Sequence, residues 1–147
     1  MGRWLAVALL SVSAIGGCVT REPELMSAAP KTLSLPDLAK QIGVELPRDS
    51  ELIGSDQETG IDRAVQAKVA IPPGALATFL KRLNLSEENF SEDNRYLLGK
   101  NKGWWNPSGT FPLPTAQVSM PSVRYLNIGL DRRDPSRVVL FLLWHEA

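Results

Sequence analysis

The C-terminal stretch VVLFLLWHE, Val138–Glu146, restricts the fold of this chain more than any other feature. It is a continuous apolar run, rich in β-branched and aromatic residues, with the length of a strand. Residues 131–136 before it have turn composition, and before the turn Leu126, Ile128 and Leu130 alternate with polar or small residues. The pattern predicts an antiparallel C-terminal hairpin whose last strand is covered on both faces and central in its sheet.

A second strand is predicted over residues 63–71. Its apolar residues alternate with polar ones, so we expect one buried face and one solvent-exposed face that carries Gln66 and Lys68. A weaker strand is predicted at residues 51–55, and the composition of residues 56–60 favours a turn.

Two helices are predicted between the strands. The first begins with Ser34 as N-cap, has Asp37 in its first turn and ends at Gly43. The second follows Pro72 and Pro73 and has apolar residues at positions i, i+3, i+4 and i+7. This stripe consists of Leu76, Phe79, Leu80 and Leu83. The sequence therefore predicts an α+β fold, a small antiparallel sheet of about four strands with two helices packed on one face.

The overall composition limits the class of protein. The chain has 147 residues, with 16 basic and 16 acidic residues and a formal net charge of zero. This balance argues against a nucleic-acid-binding protein, which would carry a basic excess. One globular domain is predicted at residues 33–147. The single cysteine excludes an internal disulfide, and no Cys/His spacing indicates zinc, so we expect neither metal nor cofactor.

The single cysteine, Cys18, closes an N-terminal segment that is organised like an export signal. Arg3 precedes an apolar stretch at residues 5–15, which is too short to span a bilayer. The following Ile-Gly-Gly-Cys sequence, residues 15–18, resembles the lipobox of bacterial lipoproteins. The resemblance implies that residues 1–17 are a signal peptide and that Cys18 is lipidated, with a diacylglyceryl group on its thiol and an acyl chain such as palmitate on its new amino group. An ordinary cleaved signal and a retained helix are the alternatives.

The resemblance also implies a location. In Gram-negative lipoproteins an Asp after the cysteine often retains the protein at the inner membrane, whereas Val19 stands here. The implied location is the outer membrane, with the protein facing the periplasm. Residues 18–32 follow as a tether, whose residues 19–32 would reach about 45–50 Å when extended.

Catalytic chemistry is weakly represented in the sequence. His145 is the only histidine, and we expect Asp131 to be able to approach it across the C-terminal hairpin. The acidic residues of 56–62 lack a closing glutamate for a calcium loop, because Ala67 stands at that position. We interpret them, and the acidic stretch at residues 86–93, as solvated segments.

The segment at residues 99–122 is long, contains four prolines and shows no periodicity, which is uncommon unless a loop has a function. It carries four candidate contact residues for a partner or ligand. These are Lys102, Trp104, Trp105 and Phe111. Three interpretations stay open: aromatic side chains that pin the loop to the sheet, contact with a protein partner, or contact with a sugar. Lys100 and Lys102 beside the tryptophans would suit an acidic partner.

These observations favour a non-enzymatic, membrane-anchored envelope lipoprotein that binds or scaffolds another envelope component, an envelope protein in the first instance. An immunity-type or inhibitor protein is a special case. The alternatives are a small-ligand-binding lipoprotein with a pocket under the 99–122 segment, and a cell-envelope hydrolase that uses His145 with Asp131 or a metal held by the acidic stretches.

Overall fold

The computed structural model describes residues 32–92, 94–100 and 102–147. The predictions for the signal peptide and for Cys18 concern residues outside this described part. The described residues form an α+β fold with two α-helices and one five-stranded antiparallel sheet. Its elements in chain order are α1 (Leu35–Ile42), β1 (Glu51–Glu58), β2 (Ala64–Ile71), α2 (Leu76–Arg82), β3 (Thr115–Met120), β4 (Arg124–Asp131) and β5 (Val138–Glu146).

The strand order is β1-β2-β5-β4-β3, so β5 is the central strand, as its unbroken apolar sequence predicts. β4 and β5 form the predicted C-terminal hairpin, with Asp131 opposite Val139 and Arg124 opposite Glu146. Strands β1 and β3 are the edges, and β1 contains a bulge between Leu52 and Gly54.

The prediction of about four strands is one strand short. β3 lies inside the segment at residues 99–122 that was expected to have no regular structure. Its alternation of apolar and polar residues is short, and Pro114 and Pro121 flank it, so turn composition concealed the strand. The turn expected at residues 56–60 is also misplaced, because β1 continues to Glu58.

α1 begins and ends where the sequence predicts, and α2 contains Leu76, Phe79 and Leu80 of the predicted apolar stripe. Oγ of Ser34 accepts a hydrogen bond of 3.3 Å from the N–H of Asp37, and Gly43 ends α1 with a φ of +71°. A short 3-10 turn, Pro73–Ala75, leads into α2. The helices pack on one face of the sheet, which we call the helix face. Its fully buried side chains include Leu38, Ile42, Phe79, Leu80, Ala67, Val69, Leu126, Ile128 and Leu140.

The opposite face is covered by residues 96–100 and 102–114, which we call the strap; we call this side of the sheet the strap face. Leu97, Trp105 and Leu113 of the strap are buried against Phe141 and Leu143 of β5. The expectation that this side of β2 is exposed to solvent is therefore wrong for Gln66, which is 3% exposed. The alternation of apolar and polar residues along a strand distinguishes its two faces. It does not show whether a segment distant in sequence covers the polar face.

Candidate functional site

The strap lies across a row of cross-strand neighbours that we call the glycine row. Its members are Gly54, Lys68, Phe141, Gly129 and Thr115. A Cβ atom added at Gly54 would collide with the indole of Trp104, and one at Gly129 would lie 2.6 Å from Cδ1 of Leu97. The strap can approach the sheet this closely because two of the five positions beneath it carry no side chain.

The two tryptophans differ in exposure. Trp105 is 2% exposed, and its ring centroid lies 5.4 Å from that of Phe141. Trp104 is half-buried and meets Trp105 edge-on, at 5.9 Å and 76°. The ring of Trp105 therefore packs in the interior and is not presented at the surface, which matches the interpretation that aromatic side chains pin the loop to the sheet.

The other two candidate contact residues lie in different surroundings. Nζ of Lys102 forms an ion pair of 2.8 Å with Oδ2 of Asp56, whose side chain is 7% exposed, so this cation already has a partner within the protein. Phe111 is 80% exposed. A single exposed aromatic side chain is common on protein surfaces and does not by itself define a site.

Next to the glycine row lies a second cross-strand row, which we call the amide row. Its members are Asp56, Gln66, Leu143, Asn127 and Gln117. Gln66 and Asn127 are 3% and 2% exposed. Nε2 of Gln66 donates to the carbonyl oxygen of Lys100 at 3.0 Å, and Nε2 of Gln117 donates to Oδ1 of Asn127 at 3.0 Å.

The amide row from Gln66 to Gln117, without Asp56, forms the floor of a cleft of about 390 Å³, which we call the amide cleft. Tyr96, Leu98 and Lys100 of the strap form one wall, and Leu98 is 78% exposed at its mouth. Lys100 also forms an ion pair of 3.0 Å with Glu58, another lining residue. The cleft therefore lies between the sheet and the start of the strap. Of the segment at residues 99–122, under which the small-ligand alternative places a pocket, Gly99, Lys100 and Gln117 line it.

A third row, the aromatic row, borders the open side of this cleft. Its members are Glu58, Ala64, His145, Tyr125 and Ser119. The rings of His145 and Tyr125 stack with centroids 5.5 Å apart and an interplanar angle of 27°. His145 is thus in contact with an aromatic neighbour at the end of β5.

The proposed pairing of His145 with Asp131 is wrong. Asp131 lies opposite Val139, six positions along β5 from His145, which corresponds to roughly 20 Å along a strand. Asp131 is held instead by Arg133, with contacts of 2.8 and 2.7 Å from the guanidinium to its two oxygens. The His145–Asp131 dyad, which the sequence suggested for a hydrolase, is therefore not formed.

A second cleft, of about 450 Å³, lies at the Asp131 end of the same face, beyond the glycine row. Lys68 reaches into it, with Nζ 4.6 Å from the centroid of the Phe141 ring and 3.4 Å from Oδ1 of Asn106. Burial lowers the pKa of Lys68, while the hydrogen bond from Arg133 lowers the pKa of Asp131. Most of the residues that line this second cleft are charged. They are Lys68, Asp131, Arg133, Asp134 and Arg137.

The acidic stretches are engaged in ion pairs or lie on the surface. Asp56 and Glu58 pair with lysines of the strap, and Glu87 pairs with Arg132 at 2.9 Å. Within residues 32–92, 94–100 and 102–147, no group of three His, Cys, Asp or Glu side chains is arranged to hold a metal ion. No helix in the same residues is long and apolar enough to cross a membrane.

The site residues that sequence reasoning missed are Gln66 and Asn127. Each stands on the polar side of an alternating strand. Gln66 was expected to face solvent, and Asn127 was not considered as a site residue. One signal was present: Gly129 and Gly54 are small residues inside strands, which mark a close approach by another part of the chain. Comparison of the chain with protein-family models, with curated proteins and with solved structures finds no match.

Proposed function

We propose that this chain is a non-enzymatic, lipid-anchored protein of the cell envelope that binds another envelope component with the strap face of its sheet. The observation that carries the proposal is the amide cleft, in which the nearly buried amides of Gln66 and Asn127 line an open cavity of about 390 Å³. A concave site with a few placed polar groups is the usual form of a binding site.

The anchor part of the proposal rests on the lipobox-like sequence at residues 15–18. Two or three acyl chains on Cys18 would hold the protein stably at a membrane, whereas one chain would hold it only marginally. The tether would then let the domain reach components that lie tens of ångströms from the lipid surface. With Val19 after the cysteine, the outer membrane is the proposed location.

A small-ligand-binding protein is the second candidate, and the size and position of the amide cleft favour it. The two candidates share one surface and differ only in whether the bound group stands alone or belongs to a larger envelope component. The hydrolase alternative loses support because Asp131 and His145 lie at opposite ends of the β4–β5 hairpin.

Crosslinked capture from intact envelopes tests the binding function. We compare the wild-type chain with Leu98→Lys, at the mouth of the amide cleft, and with the matched control Val123→Lys. Both residues are well exposed, at 78% and 65%, so neither substitution disturbs the core. We expect the wild type and Val123→Lys to recover the same component, and Leu98→Lys to lose it. Equal recovery with all three chains, or no specific component with any, would contradict the proposal.

A further inference from the structure

We infer that the amide cleft binds the N-acetyl group of an amino sugar. This inference rests on the proposed function, because it names the chemical class of the envelope component. It is carried by two nearly buried side-chain amides whose hydrogen-bonding capacity is used only in part by the described residues, and by the direction in which the cleft is open.

The first step concerns the unused groups. Each side-chain amide offers a carbonyl acceptor and an NH₂ donor. Gln66 uses Nε2 and Asn127 uses Oδ1, so Oε1 of Gln66 and Nδ2 of Asn127 have no hydrogen-bond partner within the described part of the chain. In the same residues the sealed and unpartnered polar atoms are Oδ1 of Asp56 and Nε1 of Trp105, whereas Gln66 and Asn127 both line the amide cleft.

The second step concerns their spacing. Gln66 and Asn127 lie on either side of Leu143, on β2 and β4. Because neighbouring strands are 4.7–4.9 Å apart, the two backbones are separated by about 10 Å. A secondary amide has its N–H and C=O on opposite sides, so it fits above Leu143, donating to Oε1 of Gln66 and accepting from Nδ2 of Asn127. The two protein groups supply one acceptor and one donor, which is the complement of that single amide.

The third step concerns the ends of the bound amide. With its N–H and C=O pointing across the strands, the rest of the ligand must run along them. In one direction it meets the glycine row, which Leu97, Trp105 and Leu113 of the strap cover. In the other direction it passes the open aromatic row. The blocked end accommodates only a short group such as a methyl, which favours a terminal N-acetyl group over a peptide unit within a chain.

The fourth step concerns the open end. Tyr125 and His145 present a stacked pair of rings beside the cleft, and Tyr96 is 39% exposed at its strap wall. Aromatic side chains with a polar tip suit a sugar ring, which has apolar faces and a polar edge. Glu58 and Lys100 neutralise each other across 3.0 Å, so the lining favours a neutral ligand.

Calorimetric titration of the purified full chain in nonionic detergent tests the inference. The probes are the β-1,4-linked trimer of N-acetylglucosamine and the β-1,4-linked trimer of glucose, which lacks the acetamido groups. We expect the acetylated trimer to bind at least tenfold more tightly, because glucose leaves both protein amides unpaired. Equal affinity for the two trimers, or no binding of either by folded protein, would overturn the inference.

Matched variants locate the binding to the cleft. Gln66→Met removes the acceptor with little change of volume, and we expect it to weaken binding of the acetylated trimer about tenfold. Gln57→Met, the same substitution at a half-buried position on the helix face, is expected to leave the affinity unchanged. An unchanged affinity in folded Gln66→Met would overturn the assignment. Should that variant not fold, the comparison of the two trimers on the wild type decides alone.

Two further outcomes separate the inference from the proposed function. Binding of N-acetylalanine methylamide without binding of the acetylated trimer would overturn the sugar assignment in favour of an acetylated peptide. If no probe binds but the capture experiment with Leu98→Lys and Val123→Lys behaves as expected, the inference fails and the proposed function stands. If both experiments fail, the strap face is not the binding surface.

Discussion

The two faces of the sheet are built from the same strands but differ in what they bury. On the helix face, α1 and α2 cover aliphatic and aromatic side chains. Of the seven buried polar side chains in the described residues, only Ser55 lies on this face, and its hydroxyl group exchanges hydrogen bonds with the backbone of Leu33. In the described residues, the core on the helix face is therefore almost entirely apolar, and its buried polar side chain, Ser55, is hydrogen-bonded.

The strap face buries charged and amide groups instead. Asp56, Gln66, Asn127 and Asp131 are all less than 9% exposed there. Within the described residues, Oδ1 of Asp56 and Nε1 of Trp105 are sealed without a hydrogen-bond partner, an arrangement that costs about 1–3 kcal/mol for each group. The comparison teaches that the helix face stabilises the fold through apolar burial, while the strap face accepts the less favourable burial of polar and charged groups.

The largest expected effect comes from truncating the same residue type on both faces of β5. Leu140→Ala opens a cavity in the helix-face core, where Leu140 is fully buried, and we expect a loss of about 3–5 kcal/mol. Leu143→Ala lies on the floor of the amide cleft, where water can enter the vacated space, so a loss of about 1–3 kcal/mol is expected. Urea unfolding monitored by circular dichroism measures both, and equal losses would show that the faces contribute equally to stability.

Two lysines of the strap sharpen the comparison between buried and exposed charge. Lys102→Met removes the partner of the nearly buried Asp56, and we expect a loss of about 2–3 kcal/mol because an unpaired carboxylate is left in the interior. Lys100→Met removes the partner of Glu58, but these side chains are 67% and 35% exposed, so a loss below about 1 kcal/mol is expected. Chemical denaturation of the two variants side by side measures the difference. A larger loss for Lys100→Met would show that the Lys102–Asp56 ion pair is not the stronger of the two ion pairs between the strap and the sheet.

The close approach of the strap to the sheet gives a smaller effect. Gly54→Ala places a Cβ in the space of the Trp104 ring, and we expect a destabilisation of about 1–2 kcal/mol with a shift in tryptophan fluorescence as the ring moves. Gly60→Ala is the matched control, since no atom lies within 4 Å of a Cβ there, and it should change stability by less than about 0.5 kcal/mol. Unchanged fluorescence in Gly54→Ala would show that Trp104 does not depend on this glycine.

The helix face could be predicted almost completely from the sequence, because hydrophobic periodicity, the Ser34 cap and the Gly43 stop are local signals. The central position of β5 also followed from its apolar sequence. The strap face could not be predicted in the same way. Its contacts join Leu97 to Gly129 and Lys102 to Asp56, residues that are tens of positions apart, and no local pattern specifies which loop covers which strand. Gln66 was therefore expected to face solvent although it lines the candidate site, and the same local pattern gave no reason to single out Asn127.

The smallest expected effect concerns the response of the strap face to acid. The hydrogen bond from Arg133 lowers the pKa of Asp131, and the charges of Arg133 and Lys68 act in the same direction. A carboxyl group whose pKa is lower in the folded state stabilises the protein above its unfolded value, near 3.9, and this contribution is lost as the pH falls through the folded pKa.

Arg133→Gln should therefore lower the stability at pH 7 only slightly, because Arg133 is half exposed and its ion pair is screened by solvent. The deficit relative to the wild type should shrink as the pH falls below about 4, since protonation of Asp131 in the wild type removes an interaction that the variant already lacks. Urea midpoints of the two proteins at pH 7 and pH 3 measure this. Arg124→Gln, which alters a surface arginine bonded to the carbonyl oxygen of Pro121, is the control and should show no such convergence. A deficit for Arg133→Gln that stays constant between these pH values would mean that Asp131 does not couple the strap face to pH.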